Sequence, residues 1–178
     1  MENMALYNRI IFFLLIIFIA CKNQYNNEKI HTIYELEQKI SRDFYNLNEL
    51  NMSEVQNALK IAKLNLAKIE EKKLDSVSID LIYFEYSEYL SCVNTIYEGA
   101  KEIKKMPNLL THNQSQLQDL KADYTNSKFR RDDLDDYLKQ EVSIINQTSS
   151  KLDLILTQLK REIYKFEEKN KKIEDLMK

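Results

Sequence analysis

Residues 138–177 read LKQEVSIINQTSSKLDLILTQLKREIYKFEEKNKKIEDLM. Leu138, Val142, Ile145, Ser149, Leu152, Leu156, Leu159, Ile163, Phe166, Asn170, Ile173 and Met177 recur in steps that alternate four and three. That spacing keeps them on one stripe of an α-helix, and two such positions per seven form the seam along which helices lie at a shallow angle. Forty helical residues extend about 60 Å. Ser149 and Asn170 interrupt the apolar seam with polar groups, which lower stability while setting register. The Asn146-Gln-Thr-Ser-Ser150 stretch is a candidate bend. Asp132, Asp133, Asp135 and Asp136 stand just before the seam, where the positive end of the helix dipole favours acids.

Working back along the chain, the same period recurs. Ile82, Tyr86, Tyr89, Val93, Ile96, Ala100 and Ile103 alternate four and three on a third helix, with Gly99 inside it, beside Ala100, for a close approach by a neighbouring backbone. Ile33, Leu36, Ile40, Phe44 and Leu47 mark a first helix over residues 29–49, and Val55, Leu59, Ala62, Leu66 and Ile69 a second. Asn51-Met-Ser53 separates these two, with Ser53 and Gln56 spaced as a capping box. Met106-Pro107-Asn108 predicts a stop after the third helix. Thr111 and Gln114 then cap a short fourth helix carrying Leu117, Leu120 and Tyr124, and Asn126-Ser-Lys128 predicts the turn into the long one.

Composition points the same way. The 178 residues include one Gly and one Pro, against roughly 12 and 9 at ordinary usage. Folds that depend on glycine turns or glycine-rich phosphate loops are excluded. The fold class expected is all-α, an elongated antiparallel helical bundle with a long, coiled-coil-like C-terminal helix. Lys and Arg total 26 against 28 Asp and Glu, a formal charge of −2, so no global field attracts nucleic acid and none is expected as a partner.

Ahead of the helical pattern, Ile10 to Ile19 is an unbroken apolar run preceded by Arg9 and followed by Ala20-Cys21. About 15 Å of helix is too short to cross hydrocarbon about 30 Å thick. A cationic start, a short apolar core and a small residue at the cut site are what a secretory signal requires.

Phe18-Ile19-Ala20-Cys21 resembles the lipobox of bacterial lipoproteins, with Phe at the position where Leu is usual. The resemblance implies cleavage after Ala20, a diacylglycerol thioether on Cys21 and acylation of the new amino terminus. Multiple acyl chains anchor stably where one does not. Lys22, where Asp would imply retention in the inner membrane, implies an outer-membrane protein facing the periplasm. The organisation expected is a lipoprotein signal peptide at 1–20, a tether at 21–28 and a helical domain at 29–178. Residues Leu117 to Glu141 also resemble small helical lipoproteins of Gram-negative bacteria that have no assigned activity.

If Cys21 carries lipid, Cys92 is the one thiol left and is expected to be buried. His31 and His112 lack carboxylates or thiols at metal spacing, and the Asp132–Asp136 run lacks the ligand pattern of a calcium loop. No metal and no cofactor are expected. Gly-x-Ser-x-Gly, His-Glu-x-x-His and phosphate-loop motifs are absent from the sequence, and a non-enzyme is expected. The densest chemistry is Tyr83-Phe84-Glu85-Tyr86-Ser87-Glu88-Tyr89. Its aromatics cover more than one helical face, which makes Tyr83, Phe84, Tyr86, Tyr89 and Tyr97 a candidate partner patch, Tyr86 and Tyr89 also lying on the seam. The expected role is a membrane-anchored binding or scaffolding module, engaging an envelope protein or another copy of itself through helix faces. The alternative is a periplasmic ligand-binding or inhibitory protein of immunity type, with a pocket lined by Tyr83, Tyr86, Tyr89 and Tyr97.

Overall fold

The computed structural model describes residues 27–71, 76–126 and 131–177. They form an all-α helical bundle, with no strand among the described residues. The helices are α1 (residues 27–48), α2 (Met52–Glu71), α3 (Ser76–Ile103), α4 (Met106–Asn126) and α5 (Arg131–Leu176). The signal, Ala20 and Cys21, and most of the Asn126–Lys128 turn fall outside the described residues. Residues 27 and 28, expected in the tether, are already helical.

The long helix is present and uninterrupted: α5 has 46 residues and passes through Asn146–Ser150 as helix, with Asp132 and Asp133 in its first turn. Its seam divides into a deep row and a shallower one. Leu138, Ile145, Leu152, Leu159, Phe166 and Ile173, spaced by sevens, are all buried. Val142, Ile163 and Asn170 in the second row are half-buried, and Ser149 and Leu156 are buried. Thr148, Ile155 and Glu162 add a third buried row, so the covered stripe widens where α5 meets neighbours on two sides.

Two helix boundaries differ from the sequence expectation. Asn51 rather than Ser53 caps α2: its Oδ1 accepts the Glu54 N–H at 3.3 Å, leaving Ser53 within the first turn. Pro107 begins a helix instead of ending one. α3 stops at Ile103, Lys104 and Lys105 turn, and Pro107 lies in the first turn of α4, where a missing N–H donor costs nothing. Thr111 is consequently interior to α4, its hydroxyl donating to the Pro107 carbonyl at 2.8 Å.

The chain divides into two compact units. The first takes described residues from 27–41 and 112–146. Lys29 pairs with Asp135 at 3.8 Å and Lys39 donates to Asn146 at 2.6 Å, so α1 and α5 run in the same direction here. α4 opposes them: Tyr124 donates to Asp135 at 2.7 Å, while His112, three turns earlier, lies near Glu141. Ile33, Ile40, Leu117, Tyr124 and Ile145 of this unit are almost wholly buried. Lys121 ties α4 to α1, bonding Glu37 at 3.1 Å and sitting 3.7 Å over the Tyr34 ring.

The second unit takes 42–111 and 147–178. Glu88–Lys169 at 2.7 Å and Glu102–Lys151 at 2.5 Å set α3 antiparallel to α5. Asp43–Ser149 and Asn65–Asn170 set the end of α1 and all of α2 parallel to it. Val55, Ala58, Ala62 and Asn65 are the buried residues of α2, where the sequence stripe names Leu59, Leu66 and Ile69, which are half-buried. Small residues face inward on α2 and larger apolar ones lie to the side.

Candidate interaction face

One edge of α3 is fastened to α5. Tyr89, 0% exposed, stacks on Phe166 with ring centroids 5.9 Å apart and donates its hydroxyl to Asn170 Oδ1 at 3.1 Å. Asn65 Nδ2 donates to the same oxygen at 2.8 Å, and Asn170 Nδ2 donates to Glu174 Oε1 at 2.9 Å. One asparagine thus joins α2, α3 and α5. Burial pushes the Tyr89 phenol up to about 12, which keeps it a neutral donor. Glu88 and Glu85 reach Lys169 and Lys172 on the flank, and the bond from Lys169 holds the Glu88 carboxyl below its ordinary value.

This fastening decides which aromatics face water. Tyr83 (67% exposed), Phe84 (66%) and Tyr97 (56%) are left on the surface. Tyr86 and Leu90 are half-buried between them, and helical spacing places Tyr83, Tyr86, Leu90 and Tyr97 along one flank, with Phe84 about a quarter-turn further round. Tyr89 therefore leaves the patch proposed from sequence: it is a core residue, while Tyr83 and Tyr97 of the same expected pocket stand on the surface. Tyr97 instead lines a groove of 560 Å³ between α2 and α3, whose apolar wall includes Leu59, Leu66, Ala67 and Val93.

Cys92 is buried behind the same face, its thiol 3.4 Å from the Glu162 carbonyl. Burial first, then the Glu162 carboxylate, pushes the thiol up to about 11, so it is not a nucleophile at neutral pH. His31 is exposed beside Glu35 at 3.6 Å, and His112 is exposed. No group of three or more His, Cys, Asp or Glu converges on a metal-sized site among the described residues. In the first unit, a groove of 270 Å³ between α4 and α5 has Asp119, Asp123 and Glu141 around Leu120, Leu134 and the exposed Tyr137; burial raises the Glu141 carboxyl. No helix of the described residues is long and apolar enough to cross a membrane.

Sequence reasoning missed the Asn65–Asn170–Tyr89 junction as a unit. Asn170 is visible as a polar break in an apolar seam, but its partner on α2 has no local signature.

The chain matches no protein-family model, and no curated protein or solved structure matches it.

Proposed function

We propose that the protein is a lipid-anchored lipoprotein of the Gram-negative envelope that acts as a non-catalytic binding or scaffolding module through its helix faces. Anchorage rests on the apolar run at 10–19 followed by Phe18-Ile-Ala-Cys21, with Lys22 favouring the outer membrane and a periplasmic orientation. The binding role rests on one observation: Tyr83, Phe84 and Tyr97 stand exposed on α3 while the opposite side of that helix is bonded and stacked onto α5. Large aromatics presented on a rigid element supply contact area at little entropic cost, which is why interfaces use them.

The test is cross-linking in intact envelopes followed by purification of the tagged full chain, with Cys21→Ser as the unanchored control and Phe84→Asp as the face control. Mass spectrometry of the mature amino-terminal peptide reads the acylation. Expected are an acylated Cys21 and an adduct that Phe84→Asp removes while the helical circular dichroism is unchanged. A bare Cys21 would end the anchoring claim, and an adduct indifferent to Phe84 would end the claim for this face.

A further inference from the structure

Lys63 and Glu70 line the α2–α3 groove, and Leu66 and Ala67 lie midway between them on the same helix. Seven residues apart, about 10 Å along the axis, the two charges lie beyond the three- and four-residue spacings at which side chains of one helix pair. The arrangement is its own complement. Turned end for end about the Leu66–Ala67 midpoint, α2 offers Glu70 where Lys63 stood and Lys63 where Glu70 stood.

That is the requirement of a two-fold interface, in which residue i of one copy meets residue j of the other and j meets i. Ala67 at the midpoint lets two helices approach closely, and the apolar groups such docking would cover are present. Tyr97 is 56% exposed, and Leu59, Leu66 and Val93 wall the groove. Two other grooves among the described residues fail this test. The α4–α5 groove is lined by three carboxylates and no base, and the α2–α5 groove by Glu54, Glu167 and Glu174 against Lys171. A second copy would meet like charge at either.

We infer that the α2–α3 groove is a homodimer face, occupied by α2 of a second copy of this chain lying antiparallel, with Lys63 of each copy against Glu70 of the other. This rests on the reading of the helix faces as binding surfaces and names the occupant of one of them.

The experiment uses the full chain in a non-ionic detergent with micelles in excess, its molar mass measured by light scattering. The wild-type chain is expected as a dimer. Lys63→Glu and Glu70→Lys, both at exposed positions, are each expected to weaken association at least about tenfold, because like charges then oppose across the axis. An equimolar mixture of the two variants is expected to recover dimers of mixed composition, since each reversed charge then faces an opposite one, and K63E/E70K is expected to dimerise with itself. Helical circular dichroism verifies that each variant is folded. A monomeric wild type, single variants that associate as tightly as wild type, or a mixture that does not recover would each overturn the inference. A monomer that still yields the Phe84-dependent envelope adduct would overturn the dimer and leave the binding role standing.

Discussion

Gly99 lies directly against Leu159. A Cβ built on Gly99 would stand 2.7 Å from Leu159 Cδ2 and 2.8 Å from its Cγ, closer than atoms tolerate. The glycine admits the Leu159 side chain of α5 to the surface of α3, where the sequence reading expects a neighbouring backbone. Leu159 is 0% exposed, so it has little room to move aside.

Gly99→Ala should gain about 1 kcal/mol of helix propensity and lose about 1–3 kcal/mol to overpacking. Net destabilisation is expected, read as a lower urea midpoint with unchanged slope. In a Leu159→Ala background, itself destabilised by about 2–5 kcal/mol, the same substitution should become neutral or stabilising. Equal effects in the two backgrounds would show that the contact does not govern the glycine.

At the Asn170 junction, Asn170→Leu removes the acceptor of the Tyr89 hydroxyl and leaves the Asn65 amide only its longer bond to Glu174 Oε1 at 3.4 Å, a loss of about 1–3 kcal/mol for the stranded hydroxyl. N65L/N170L removes two of the four polar members, Asn65, Tyr89, Asn170 and Glu174, together. Its destabilisation should be smaller than the sum of the single substitutions, a coupling that a double-mutant cycle reads directly. Additive losses would mean Asn65 and Asn170 do not act as one network.

Alkaline stability follows from Cys92 and Tyr89. Burial raises the first from 9.0 to about 11 and the second from 10.0 to about 12. Each group holds its proton more tightly folded than unfolded, so the stabilisation is complete below about pH 9 and is lost as pH rises from 9 to 12. Urea midpoints should fall across that window, and Cys92→Ala should shallow the lower part of the decline. A thiol reagent at pH 8 should label Cys92 at the rate of unfolding or local opening, not at the rate of a free thiol.

Acid acts on a different pair. Glu102 is bonded by Lys105 and then by Lys151, and these bonds lower its carboxyl from 4.5 to about 2. The folded state binds this proton less tightly, so the contribution is present above about pH 4.5 and is lost as pH falls toward 2. Carboxyl titration by NMR should show Lys105→Met raising the Glu102 value more than Lys151→Met does. The reverse order would make the link to α5 the dominant bond.

The long seam of α5 was fully legible because every second step returns a bulky apolar residue to one stripe. Tyr89 was legible as a core position and also as a member of the aromatic patch. Only its contact with Phe166, far along the chain, separates those roles. α2 was legible as a helix, and Val55 and Ala62 of its expected stripe are buried, but the rest of its inward face lies elsewhere. Apolar periodicity finds the bulky residues Leu59 and Leu66, whereas Ala58 and Asn65 turn inward because the neighbouring helices leave small space and a polar partner there. Pro107 was ambiguous for a local reason: the missing donor that ends one helix is harmless at the start of the next. Asn51 and Ser53 are both good caps, and the backbone turn at Glu49–Leu50 selects the first.

The parallel course of α1 and α5 bears on when the molecule can assemble. Lys39 and Asn146 are 107 positions apart, and Asp43 and Ser149 are 106. α1 leaves the ribosome long before α5, so until nearly the whole polypeptide is available its apolar stripe can be covered only in part, by α4.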